Sequence, residues 1–197
     1  MKKTSFIMTK SGFFVAVLCC LFTASVSAAD YKIDTKGAHA FVTFKIKHLG
    51  YSWLLGRFNE FDGAFSYDAA KPEASAINVV IQTASVDSNH AERDKHLRGE
   101  DFLDVKQFPQ ARFVSKRFEA QDADNAIMVG DFTLHGVTRE IRFPVKKVGE
   151  GKDPWGGYRV GFTGATELKL ADYGITYDLG PASTNVIVEL NIEGIRQ

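Results

Sequence analysis

From residue 39 onward, apolar and polar side chains alternate with a period of two, the signature of strands that keep one face in a core and one in water. Residues 39–48 put Ala40, Val42, Phe44 and Ile46 on one face, and Thr43, Lys45 and Lys47 on the other. In the next run Phe61, Gly63, Phe65 and Tyr67 alternate with Glu60, Asp62 and Ser66. Similar runs cover 77–86, 111–118, 126–134, 137–148, 158–170 and 185–195, and with a short strand at 31–34 they predict about nine strands. Alternation fits antiparallel neighbours, because strands of a buried parallel sheet read as continuous apolar runs. His135-Gly136 predicts a two-residue hairpin, and the Asp153-Pro154-Trp155-Gly156-Gly157 segment a looser turn.

One helix interrupts this pattern, over residues 89–98, with Asn89 and Glu92 spaced as a capping pair and Gly99 placed for a left-handed stop. A shorter turn is expected over 101–105. Many strands with a single helical insertion predict an all-β fold, a closed antiparallel barrel with a helical flap.

A barrel of this size is either filled by its own side chains or holds one small ligand, so the inward residues decide which. The registers assigned inward hold Val42, Phe44, Ile46, His48, Phe61, Gly63, Phe65, Phe113, Gly130, Phe132, Phe143, Phe162 and Leu168. Val160, Val188 and Leu190 share those registers, as do the small residues Ala40 and Gly164. Sixteen phenylalanines make a heavy aromatic load, and pattern alone favours a packed aromatic core over a cavity. Glycine inside a strand marks a bend or a place where another group approaches the backbone.

The first twenty-eight residues carry a different pattern, and they set the compartment. Lys2, Lys3 and Lys10 precede an apolar run at 12–23, and Val26-Ser27-Ala28 is a small-residue cleavage site, as in a secretory signal peptide cut between Ala28 and Ala29. The run is shorter than the roughly 20 apolar residues of a membrane span, and no other stretch approaches that length. A periplasmic location and a mature domain of residues 29–197 follow as expectations. Both cysteines, Cys19 and Cys20, lie in the apolar run, so the mature domain has no thiol for a disulfide, a metal or a nucleophile. The whole chain is neutral, and loss of three lysines leaves the mature domain at −3. So mild an overall balance argues against nucleic-acid or anionic-membrane binding.

Candidate chemistry is sparse. His90 and Asp94 are four apart and could share a helix face, as two metal ligands would, with His96 off that face and His48 or Asp101 as further ligands. The same stretch also reads as alternating charges on a solvated face, which is the preferred reading. His48 follows the inward register toward a barrel mouth, and a core histidine satisfied by a hydrogen bond is preferred over a ligand contact. Asp62 and Glu60 both point outward. There is no nucleophile elbow, zinc-protease motif or phosphate-cradling loop, so nothing specifies an enzyme.

The order of motifs adds what periodicity cannot. Tyr31-Lys32-Ile33-Asp34 is followed by Phe44-Lys45-Ile46-Lys47-His48-Leu49-Gly50, Gly56-Arg57-Phe58, Arg93-Asp94-Lys95-His96-Leu97-Arg98, Asp101-Phe102-Leu103-Asp104 and Gly130-Asp131-Phe132-Thr133-Leu134-His135-Gly136. This series resembles the YceI-like family over the whole mature chain. The resemblance implies a lipocalin-like eight-stranded antiparallel β-barrel with a short helical insertion, whose elongated apolar pocket holds a polyisoprenoid or similar long-chain lipid. It reverses the preference for a filled core. It implies no cofactor, no resident metal and no catalytic residue, and homodimerisation is left open. The expected function is a periplasmic carrier of an isoprenoid lipid, such as a quinone or its precursor. The alternatives are a metal-assisted hydrolase or isomerase using His48, His90, Asp94 and His96, and a stress-linked structural protein without a small ligand.

Overall fold

The computed structural model describes residues 28–197, so the signal-peptide reading, apart from Ala28, lies outside the described residues. The strands are β1 (Ala29–Ile33), β2 (Phe41–His48), β3 (Ser52–Phe58), β4 (Phe61–Tyr67), β5 (Ala76–Gln82), β6 (Val86–Asp87), β7 (Gln110–Ala120), β8 (Asn125–Leu134), β9 (Val137–Lys152), β10 (Tyr158–Lys169) and β11 (Asn185–Arg196). Among the described residues a single α-helix, α1 (Ala91–Leu97), follows β6.

These eleven segments make eight long strands. Strand β11 lies against β2 through Asn191↔Phe41 to Val186↔Ile46, and against β1 through Gly194↔Ile33 to Arg196↔Tyr31, so β1 and β2 are one strand broken at 34–40. On the other side β1 pairs with β4 and β2 with β3, and β4 pairs with β5 as β3 does with β6. The strands β3–β4 and β5–β6 are therefore also single strands, broken at 59–60 and at the 3₁₀ turn Thr83–Ser85. Strands β7 to β11 continue the antiparallel order, and β1 closes it onto β11. The result is an up-and-down eight-stranded antiparallel barrel, which leaves no open sheet edge around its closed circumference.

The breaks satisfy their own backbone groups. The Asn59 N–H donates to the Ser85 carbonyl at 3.1 Å, the Gln82 N–H to the Glu60 carbonyl at 2.9 Å, and the Glu60 N–H to Ser85 Oγ at 2.9 Å. At the first break Asp34 Oδ1 accepts from the Gly37 N–H, three residues on, at 2.8 Å and closes the turn. Asp34 Oδ2 also accepts from Arg159 Nη1 at 2.6 Å and lies 3.0 Å from His39 Nδ1. Arg159 Nε meanwhile donates to Asp153 Oδ2 at 2.8 Å. This outer latch ties the first break to the β9–β10 turn and to β11.

The Arg159 guanidinium, and after it His39, hold the Asp34 carboxyl down from 3.8 to about 2. Its side chain is buried. A carboxylate whose pKa is depressed by folding stabilises above its unfolded value, and that contribution is lost as pH falls through the folded value. Asp34→Asn should therefore cost about 2 kcal/mol at neutral pH, and the gap to wild type should close between pH 4 and pH 2. Urea midpoints of both proteins across that range check this; a gap independent of pH would count against the latch.

Four local readings are corrected. Strand β3 escapes the alternation pattern, and the run 77–86 is interrupted at the 3₁₀ turn Thr83–Ser85 rather than continuous. Helix α1 is capped by His90, whose Nδ1 accepts from the Arg93 N–H at 3.2 Å, while Asn89 takes a left-handed φ of 61° before it. The helix ends on a right-handed Arg98 rather than on a left-handed Gly99. The predicted hairpin is present: Leu134 pairs with Val137, and His135 and Gly136 have φ of 49° and 74°, the type I′ geometry that matches strand twist.

Candidate functional site

The barrel encloses an apolar cavity of about 700 Å³, within the range of pockets that take a small organic ligand. The start of β1 at Ala29, the C-terminus and the turns at 121–124 and 153–157 lie at one end, the floor. The β2–β3 turn, the segment 170–184 and α1 lie at the other, the mouth. Phe162 is the hub of the floor. Its ring centroid lies 5.9 Å from Phe65 and 5.1 Å from Tyr67, edge to face, and 6.4 Å from Phe118, while Tyr31 stacks flat on Phe65 at 5.0 Å. Edge-to-face rings fill that end with defined geometry and leave the void above them.

Of the residues placed inward by periodicity, Val42, Phe44, Ile46, His48, Phe65, Phe113, Phe132, Phe143, Phe162 and Leu168 line this cavity, as do Gly164, Val188 and Leu190. Phe61, Gly63 and Gly130 do not. Phe61 is half-buried and packs against the core. A Cβ on Gly63 would lie 2.5 Å from the Asn78 carbonyl and 2.9 Å from Ile33 Cδ1. One on Gly130 would lie 2.5 Å from the Val114 carbonyl and 2.6 Å from Phe113 Cζ. These glycines are where backbone and neighbouring side chains close in, so they form wall rather than space.

Periodicity missed other lining residues. Leu54 and Phe58 belong to the unpredicted β3. Phe118 falls out of phase with Phe113 because the β7–β8 register shifts between Ser115 and Arg117, and a bulge moves every later side chain to the opposite face. Tyr177 and Leu179 come from the 170–184 connection, where no strand period exists to read.

At the mouth the wall turns partly polar, with Lys47, His48, Arg93, His96 and Asp178 beside Leu49, Leu97, Phe102 and Tyr177. His48 is exposed rather than a buried core histidine. The helix residues considered as metal ligands are each engaged separately. His90 caps α1; Asp94 is buried and accepts from the Ser88 N–H at 2.8 Å and from Ser88 Oγ; His96 Nε2 lies 3.0 Å from Asp101 Oδ2. His96 also meets Phe102 and Tyr177 edge-on, at centroid distances of 4.9 and 5.2 Å. Among the described residues, one trio of possible ligand atoms does converge, from Asp34, His39 and Glu193. It lies on the outer latch, where Arg159 Nη1 already bonds Asp34 and Glu193. The guanidinium supplies there the positive charge that a cation would bring.

A closed antiparallel barrel around one apolar cavity, entered through a partly polar mouth, places this protein in the lipocalin-like class. A family model, the YceI-like domain, matches residues 31–194, and the chain belongs to the YceI-like family. A UPF0312 protein of Shewanella oneidensis is 53% identical over 191 residues, which is 96% of this chain and 100% of that protein. The YceI protein of Campylobacter jejuni superposes with a TM-score of 0.71 at 28% identity, over 78% of this chain and 91% of its own. A polyisoprenoid binding domain from Saccharophagus degradans superposes with a TM-score of 0.63 at 17% identity, over 87% of this chain and 100% of its own, a likeness of fold. Among the described residues no helix is long and apolar enough to cross a membrane.

Proposed function

We propose that this protein is a periplasmic carrier that holds one long-chain polyisoprenoid or related lipid in the barrel, with the chain inside and any polar head at the mouth. The observation that carries this is the cavity itself, about 700 Å³ of space walled mainly by aliphatic and aromatic side chains. Each CH₂ that enters contributes about 0.8 kcal/mol, so a long slot needs no charged anchor. Phe44, Phe113, Phe132, Phe143, Phe162 and Leu168 are the contacts assigned to the chain, and His48 lies where a head group would emerge. The name of the Saccharophagus degradans domain supports the isoprenoid class.

Export fits the same reading. A cut between Ala28 and Ala29 leaves β1 whole, since Ala29 already pairs with Tyr67. Binding rather than catalysis is favoured because the polar groups at the mouth are engaged with one another or with solvent, and no nucleophile is held beside a base there. Mass spectrometry of the organic extract of protein purified from its own host without detergent tests the reading. An isoprenoid near one equivalent is the expected result, and protein that carries none would overturn it.

A further inference from the structure

Strand β3 departs from the inside-outside rule over consecutive residues. Leu54 faces the cavity, yet the outward Trp53 and Leu55 are apolar too, 48% and 64% exposed. Leu49 and Tyr51 in the adjoining turn are 56% and 87% exposed, and Tyr177 is 47% exposed. These five, out of nine exposed large apolar residues among those described, all belong to the mouth end; Leu49 and Tyr177 also line the cavity. Trp155 and Val148 stand apart, at the floor end. Exposed large apolar residues concentrated at one end of a fold mark an interaction site, where singly scattered ones do not.

The chemistry around these residues selects the partner. Lys45 and Lys47 sit on β2 directly beside Leu55 and Trp53, each with its Nζ 5.7 Å from the Trp53 ring. Lys45 is paired with Glu189, while Lys47 has no carboxylate partner among the described residues. Tryptophan and tyrosine with aliphatic side chains and lysine are the combination suited to a headgroup layer, where an amphipathic ring meets water on one side and hydrocarbon on the other. A second copy of this chain is a poorer fit. Face-on packing about a twofold would set Lys47 near its own copy, whereas an anionic lipid surface complements it. The attraction is local to this rim and runs against the overall charge of −3, which by itself argues against an anionic membrane.

We propose that the β2–β3 turn and the outer face of β3 dock the mouth of the barrel onto a bilayer containing anionic phospholipid, with Trp53 and Leu55 at the headgroup boundary and Lys47 against the phosphates. Docked this way, the cavity opens toward the membrane, while Ala29, the C-terminus and Trp155 point away. Docking would serve the carrier reading by loading and unloading the slot. Vesicle binding is measured on the protein with or without cargo, so the two readings stand or fall separately.

The chain has two tryptophans, and they report on opposite ends. In a Trp155→Phe variant of the mature protein, Trp53 emission should shift to the blue on adding phosphatidylethanolamine–phosphatidylglycerol vesicles. In a Trp53→Phe variant, Trp155 emission should stay put. Co-sedimentation with the same vesicles should fall about tenfold in Trp53→Ser/Leu55→Ser and about fivefold in Lys47→Ala, and should be weaker on pure phosphatidylcholine. Circular dichroism should report an unchanged β fold, since Trp53 and Leu55 face outward and Lys47 is exposed at the rim of the mouth. Absence of vesicle binding, or a shift confined to Trp155, overturns the proposal. So does a dimer by light scattering that Trp53→Ser/Leu55→Ser makes monomeric, because the face then belongs to a second copy.

Discussion

Replacing Val188 and Leu190 together by tryptophan should leave a folded barrel that no longer retains lipid. Both residues are half-buried, line the cavity and alternate on one face of β11, opposite Phe44 and Val42 of β2. Their enlarged side chains enter existing space, so the usual penalty for overpacking a filled core does not apply. A lipid chain cannot share that space, and excluding only four of its methylenes, at about 0.8 kcal/mol each, lowers affinity roughly two-hundredfold. Ala165→Trp is the control, because Ala165 is exposed on β10 between the cavity-lining Gly164 and Thr166. Lipid in the organic extract should vanish in the double variant and persist in the control. If the folded double variant retains as much lipid as wild type, the chain is not bound where proposed.

The glycines of the wall should behave in the opposite way. Gly130→Leu places its Cβ against the Val114 carbonyl, a backbone atom that cannot swing aside, and against the Phe113 ring. Gly63→Leu meets the Asn78 carbonyl in the same manner. Each should cost about 3 kcal/mol, a large part of the stability of an ordinary domain, and so reduce folded protein instead of merely closing the pocket. Gly149→Leu, where nothing lies within 4 Å of the added Cβ, should be close to neutral. Urea unfolding of the three variants decides this. A Gly130→Leu midpoint equal to that of wild type would show that the wall yields there.

Much of the barrel was legible in the chain because its cause is local. Period-two alternation located every strand except β3 and the two-residue β6, and a His-Gly pair with left-handed φ marked the β8–β9 hairpin. Strand β3 escaped because Trp53, Leu54 and Leu55 are consecutive apolar residues, and alternation disappears where the outer face is apolar as well. The feature that hid the strand is the one that makes its outer face a candidate docking surface. Phe118 escaped for another reason: the β7 bulge is a pairing event between two strands, and nothing in the intervening residues announces it.

What the sequence alone determined is the all-β class, the two-faced strands, the aromatic inventory of the interior and, through the resemblance of its motifs, the family. The tertiary structure decided whether that inventory makes a solid core or a container, and the pattern had favoured the solid core. Periodicity reports which way a side chain points, a property of a residue and its immediate neighbours. A cavity is the difference between the volume that eight closed strands enclose and the volume their inward side chains occupy. It depends on register, bulges and glycine approaches around the whole barrel, and only the closed sheet brings these together.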